Sequence, residues 1–208
     1  MNKADKSFTQ PNFPQLLRFQ KGEQILGQGK LFQGYFLIKS GLVKTVRYQE
    51  SGNSTLLSIK DQGEFLGEFH EEHTEKRLSY SAFAMEDNTL VEKIQMEEHP
   101  NLKLMRIIQT LQEEIHTARL RLERMLFQDA EFRIISVLKD LGERFGEKYG
   151  DETLLKLPLT HEELAKLTDT SRQTVTTILS GLKAQNKINY SRGRILFRNI
   201  HQLKTPNL

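Results

Sequence analysis

The stretch from Leu159 to Lys183 constrains the fold of this chain more than any other. It reads Leu-Thr-His-Glu-Glu-Leu-Ala-Lys-Leu-Thr-Asp-Thr-Ser-Arg-Gln-Thr-Val-Thr-Thr-Ile-Leu-Ser-Gly-Leu-Lys. Thr160 with Glu163 three residues on forms a capping box at the start of a short helix whose apolar positions are Leu164, Ala165 and Leu167. Thr168-Asp169-Thr170 interrupts that pattern as a tight turn does. Ser171 then caps a second helix with Val175, Ile178, Leu179 and Leu182 at helical spacing. Two short helices joined by a few residues make a helix-turn-helix. On the outer face of the second helix stand Arg172, Gln173, Thr176 and Thr177, side chains of the kind that reach base edges in a major groove. An ordinary helical hairpin with a polar surface shows the same local pattern, so the rest of the chain has to decide.

Charge distribution narrows the choice. The net charge of the 208 residues is +3, yet Ser171 to Leu208 carries Arg172, Lys183, Lys187, Arg192, Arg194, Arg198 and Lys204 with no acidic residue. The preceding part is therefore net negative. A basic end on an otherwise slightly acidic protein suits a polyanionic partner. The composition, 37% hydrophobic and 27% charged, is that of a soluble globular chain. No apolar run approaches bilayer length, so no membrane partner is expected. The first residues, Met1-Asn2-Lys3-Ala4-Asp5-Lys6, lack the apolar core of a signal peptide, and a cytoplasmic location is expected. The lack of cysteine excludes disulfides, thiolate-held metal centres and thiol nucleophiles. No paired catalytic residues, phosphate loop or metal-ligand spacing appears, so the chain is not expected to be an enzyme. His70 and His73, among Glu68, Glu71 and Glu72, are read as a solvated loop rather than a metal or haem site, and no metal is assigned.

Taken in order, the chain changes texture three times. Phe13, Leu16 and Leu17 suggest a small opening helix. From Arg18 to about Lys93 glycines recur between short β-rich runs: 24–26, 35–38, 42–48, 55–59, 79–84 and 89–94. This indicates an antiparallel β-barrel or sandwich. Lys39-Ser40-Gly41 and Glu50-Ser51-Gly52-Asn53 read as hairpin turns. From Pro100 to Gln128 the period becomes helical, with Leu104, Ile108, Leu111, Ile115, Ala118, Leu122 and Met125 at alternating steps of four and three. Such a seam packs either on its own chain or on a second copy, and its strictness favours a parallel homodimer. Asp129 marks a break before another helix with Phe132, Ile135, Leu138, Leu141 and Phe145 on one face. Residues 146–151 read as a loop, and 153–157 as a strand ended by Pro158. Beyond Lys183, residues 187–190 and 194–197 flank Ser191-Arg192-Gly193, a hairpin with a basic tip. That hairpin turns the motif into a winged helix-turn-helix.

Over nearly its full length the chain resembles the cyclic-AMP-receptor/fumarate-nitrate-regulator (Crp/Fnr) family of bacterial transcription factors. The carriers are Ser171-Arg172-Gln173-Thr174-Val175, Leu182 to Ile188, and the barrel segments Phe19 to Glu23 and Gly63-Glu64-Phe65-Leu66-Gly67-Glu68. The resemblance implies an α+β fold: a cyclic-nucleotide-binding-like β-barrel (a double-stranded β-helix) over 1–99, a dimerisation helix over 100–128 and a winged helix-turn-helix over 129–208. It implies a homodimeric regulator that reads a two-fold related site on double-stranded DNA and meets RNA polymerase. The alternative is a cyclic-nucleotide-binding module acting through protein partners. Asp169 stands where the family usually has glycine, and aspartate tolerates the left-handed backbone better than most residues.

The same resemblance assigns roles. Arg172 would take guanine O6 and N7 through two hydrogen bonds, and Gln173 would pair with adenine or bridge bases. Thr176 and Thr177 would touch a thymine methyl or a phosphate. Thr160 and Ser171 would hold phosphates with hydroxyls and free backbone N–H groups, and Arg192 and Arg194 would meet the backbone. In the family's phosphate-binding cassette, Gly67 and Glu68 match, with Arg77 and Ser79 as the remaining candidates. Here Leu78 separates the arginine from the serine, acidic Glu71, Glu72 and Glu75 intervene, and Ala118 and Arg119 stand where cyclic-AMP responders have small hydroxyl residues. These departures argue against ordinary cyclic-AMP sensing.

Overall fold

A computed structural model describes residues 15–68, 77–94 and 100–203. It divides into two compact units, one of Met1–Val43 with Ile59–Ile107, the other of Lys44–Ser58 with Ile108–Leu208.

The first unit is built on antiparallel strands. β1 (Leu16–Phe19), β2 (Gln24–Leu26) and β3 (Phe36–Ser40) come before the division; β6 (Phe65–Leu66), β7 (Ser81–Ala84) and β8 (Thr89–Lys93) follow it. One sheet runs β1-β8-β3-β6, and β2 pairs separately with β7. Apolar side chains alternate inward, as half-buried strands require: Phe36 and Ile38 from β3 and Val91 from β8 are buried, together with Leu66, Ala82 and Ala84. Two local expectations are corrected. Leu16 and Leu17 lie in a strand rather than a helix, since β1 pairs with β8 from Leu16↔Glu92 to Phe19↔Thr89. Gly41 does not close a hairpin, because β3 takes β8 and β6 as its partners. It turns a corner instead. Its φ is +87°, and a Cβ there would meet Thr89 Oγ1 at 2.6 Å, so glycine meets both demands.

The second unit opens with most of β4 (Val43–Tyr48) and of β5 (Ser54–Lys60), from Lys44 to Ser58, joined by a turn in which Gln49 N–H donates to Asn53 O at 2.8 Å. Here the expected hairpin is present. α1 (Pro100–Phe127) begins in the first unit, where Ile107 is buried, and runs on into the second. α2 (Ala130–Phe145) follows at once, capped by the Asp129 carboxylate, which accepts from Phe132 N–H. Residues 146–149, read above as loop, are β9 (Gly146–Tyr149), paired with β10 (Glu152–Lys156). Next come α3 (His161–Leu167), α4 (Arg172–Ala184), β11 (Ile188–Ser191) and β12 (Arg194–Phe197). The sheet order is β11-β12-β10-β9.

The head formed by α2, α3, α4 and this sheet has one core. Ile134, Ile135 and Leu138 of α2 are buried with Leu164, Val175, Leu179, Leu182, Leu155, Ile188 and Phe197. Each such side chain removed from water contributes about 1.5–3 kcal/mol. That core holds α4 by its inner stripe and leaves the opposite face to solvent.

Candidate nucleic-acid interface

The recognition face is set by two capped helix starts. Thr160 Oγ1 accepts from Glu163 N–H at 3.1 Å, while Glu163 Oε2 accepts from Thr160 N–H at 2.9 Å, so the expected capping box is formed. Ser171 Oγ accepts from Thr174 N–H at 3.0 Å and lies 2.7 Å from Thr174 Oγ1. Between the helices Asp169 has φ +52°, the left-handed turn residue.

Arg172, Gln173, Thr176 and Thr177 are all exposed on α4, and Ser171 and Thr160 are exposed at the helix starts. Arg192 and Arg194 are exposed on the wing, whose turn contains Gly193 at φ +72°. The structure thus brings the whole DNA-side set into one head. Three hydroxyls are already engaged, that of Ser171 by Thr174 at its own cap. That of Thr160 belongs to the box. That of Thr176 donates to Arg172 O at 2.9 Å, and His161 Nδ1 lies 2.9 Å from the Thr176 Oγ1 itself. The Thr176 methyl takes no part in these bonds.

Residues that the sequence pattern did not single out tie this face together. Tyr190 of β11 has the His161 ring on one side, with centroids 5.7 Å apart, and Lys183 Nζ 5.3 Å from its centroid. A cation over an aromatic face is attractive, so this contact links α4 to the wing. Two arginines hold the turn. Arg133 of α2 donates to Thr168 O at 2.9 Å and Asp169 O at 3.0 Å. Arg121 of α1 donates to both carboxylate oxygens of Asp169, at 2.7 and 2.6 Å. Only an arginine on the charged side of a helix was visible in the sequence; its partner 48 residues later was not.

The hairpin β4–β5 also meets α3. Lys44 pairs with Glu163, and Lys166 Nζ donates to Ser54 Oγ at 2.9 Å. Burial raises the Glu163 pKa, but hydrogen bonds from Lys44 and from Thr160 N–H outweigh it and leave the carboxyl below the ordinary glutamate value.

In the first unit, Gly67 and Glu68 follow β6. Gly67 has φ +140°, and a Cβ there would meet the Tyr35 ring at 2.7 Å, so the backbone passes too close for any other residue. Glu68 accepts from Ser79 N–H at 2.6 Å and from the Ser79 hydroxyl. Glu68 and Ser79 are therefore brought together, as paired neighbours. Arg77 donates to Gly29 O at 3.0 Å and lines an open cleft of about 520 Å³ with Ile25, Leu26, Lys30 and Phe36. Neither Glu68 nor Ser79 is in that lining. His70, His73 and the acidic Glu71, Glu72 and Glu75 lie outside the described residues. Ala118 and Arg119 are exposed on α1.

Residues 132–205 match the Crp-like helix-turn-helix domain, and residues 16–98 match the cyclic nucleotide-binding domain. The chain belongs to the Crp/Fnr family. A Thermus thermophilus protein named cyclic AMP receptor protein is 27% identical over 86% of this chain and 82% of its own. The global nitrogen regulator of Synechocystis is 26% identical over 79% of this chain and 76% of its own. A solved CRP/FNR-family transcriptional regulator, also from Thermus thermophilus, superposes with TM-score 0.76 at 27% identity, covering 91% of this chain and 96% of that one. This Crp/Fnr chain is a DNA-binding transcription regulator with an effector-binding domain, not an enzyme. Among the described residues no helix is long and apolar enough to cross a membrane.

Proposed function

We propose that this regulator acts in the cytoplasm as a homodimer on a two-fold related DNA site. The observation that carries the dimer is the α1 seam. Leu104, Ile108, Ile115, Leu122 and Met125 are exposed in the single chain, Ile115 by 52% and Leu122 by 56%. Leu111 is half-buried and Ala118 exposed on the same line. A heptad row left in water over a 28-residue helix is what a second copy covers. On this reading 1–99 senses, 100–128 pairs and 129–208 reads DNA. Arg172 and Gln173 contact base edges; Thr176 and Thr177 contribute shorter contacts. Thr160, Ser171, Arg192 and Arg194 lie along phosphates. RNA polymerase is a further partner by family resemblance.

The effector of the β-domain is a molecule other than cyclic AMP. In favour of this, the Glu68 carboxylate already accepts from Ser79 N–H and Oγ–H, the Arg77-Leu78-Ser79 order splits the usual arginine–serine pair, and Ala118 and Arg119 offer no small hydroxyl. Gly67, Glu68, Arg77 and Ser79 remain the residues of that site.

Selection of bound DNA from a random pool by the purified chain tests the reading. Paired, inverted half-sites about one helical turn apart are expected. A single unpaired motif would overturn the dimeric mode. Calorimetry with cyclic AMP is expected to show no binding heat; a saturable heat would overturn the effector assignment.

A further inference from the structure

The turn before the recognition helix is gripped by the dimerisation helix through a single side chain. Asp169 occupies a left-handed conformation that glycine adopts freely and other residues adopt at a cost. Its carboxylate is met by Arg121 Nε at 2.7 Å and Nη2 at 2.6 Å. Arg121 Nη2 also donates to Lys166 O at 2.9 Å, in the last turn of α3, and Nη1 donates to Leu56 O at 2.9 Å, in β5. The guanidinium thus spends its donors on three elements of the second unit at once. Arg133 closes the other side, with Nη1 on Gln128 O at 2.8 Å where α1 ends and its remaining donors on Thr168 O and Asp169 O.

A two-pronged guanidinium–carboxylate contact fixes plane and direction as well as distance. Asp169 lies two residues before the Ser171 cap, at the base of a 13-residue helix. A small rotation there sweeps the far end of α4, which lies about 20 Å away at 1.5 Å per residue. The atoms of this contact are half-buried and point at protein groups. Glycine at this position would satisfy the turn equally well; what aspartate adds is the link to α1.

We propose that Arg121 and Asp169 are a positioning pair that sets the angle of the recognition helix against α1, and thereby the half-site spacing that the dimer accepts. This rests on the dimeric reading above. In a dimer joined along α1, a head held rigidly to that helix cannot follow a changed spacer. Adding one base pair moves the second half-site by about 3.4 Å and turns it by roughly 35° about the DNA axis. A head released from α1 can follow.

The test uses the full chain and a DNA pool with randomised half-sites and variable spacers. Wild type, Arg121→Gln, Arg121→Lys and Asp169→Gly are compared. Wild type is expected to select one spacer length. Arg121→Gln and Asp169→Gly are expected to lose roughly tenfold of the preference for that spacer over its neighbours, the size of a contact-pair coupling, with half-site bases unchanged. Arg121→Lys keeps the charge and loses the fork, so it falls between. Asp169→Gly removes the pair while relieving the backbone, so a folding defect in Arg121→Gln does not decide the matter. A narrow spacer distribution in a folded Asp169→Gly dimer would overturn the inference and leave the dimer reading standing. So would altered half-site bases, which would assign the pair to local readout. A wild-type pool without paired half-sites would overturn the dimer reading itself and this inference with it.

Discussion

Arg172 is the first residue of α4, exposed, directly behind the Ser171 cap. The position leaves it open to solvent at the start of the helix, and its five donors in a fixed fork suit guanine. Arg172→Ala should cost about 1–3 kcal/mol at one base position and relax preference there, leaving other positions unchanged. Binding selection with the variant checks this; an unaltered base preference removes Arg172 from readout. Thr176 separates into two halves. Its hydroxyl is held by Arg172 O and His161, so only the methyl is free to meet a thymine methyl. Thr176→Ser keeps the bonds and drops the methyl. It should weaken binding by about 0.8 kcal/mol at a thymine position, the worth of one buried methyl-sized group. Titration against thymine- and uracil-containing sites should show that difference vanish with uracil.

At the scale of the element, the α3 capping box is also an electrostatic joint. The Glu163 carboxylate serves Thr160 N–H and Lys44 together, which holds its pKa down. A carboxyl whose folded value lies below its unfolded value stabilises the fold above the unfolded value, about 4.3, and loses that contribution as pH falls through the folded one. Urea melts from pH 6 downward should therefore show an acid-side loss that Glu163→Gln flattens. Thr160→Ala should cost about 1 kcal/mol at neutral pH, as for other caps. The wing obeys a different rule. Arg192 is exposed at its tip, so Arg192→Ala should weaken binding evenly across sequences and lower the salt slope by about 1. Caps, wing and both helices of the helix-turn-helix were legible because their signals lie within a few residues. β1 was misread because Leu16-Leu17-Arg18-Phe19 is too short to show a period, and what makes it a strand is β8, far along the chain. β9 was hidden between Gly146 and Gly150 for the same reason, since its identity depends on β10. The Arg121–Asp169 contact was invisible too: pairing between distant elements leaves no local pattern.

For the molecule as a whole, the exposed heptad row of α1 is the surface that the proposed dimer covers. In one chain Ile115 and Leu122 lie near the middle and end of a seam open to water, with Met125 and Leu126 exposed beyond them. Pairing along this row brings each Ile115 against its own copy, so one substitution acts twice. Ile115→Lys places two like charges at the centre of the seam and removes two apolar side chains from it, a combined penalty of several kcal/mol. Sedimentation should show the wild type as a dimer and the variant as a monomer at the same concentration. Each head keeps its own core of Val175, Leu179 and Leu182, so a half-site should still be bound with wild-type base preference. The paired site should lose its advantage, because the second head no longer binds as a tethered partner. With one head rather than two on the DNA, roughly half the phosphates are neutralised, and the slope of log affinity against log salt should fall by about half. A variant that remains dimeric would mean that α1 is covered by something other than its copy. One that is monomeric yet keeps full affinity for the paired site would mean that the heads read DNA without needing each other.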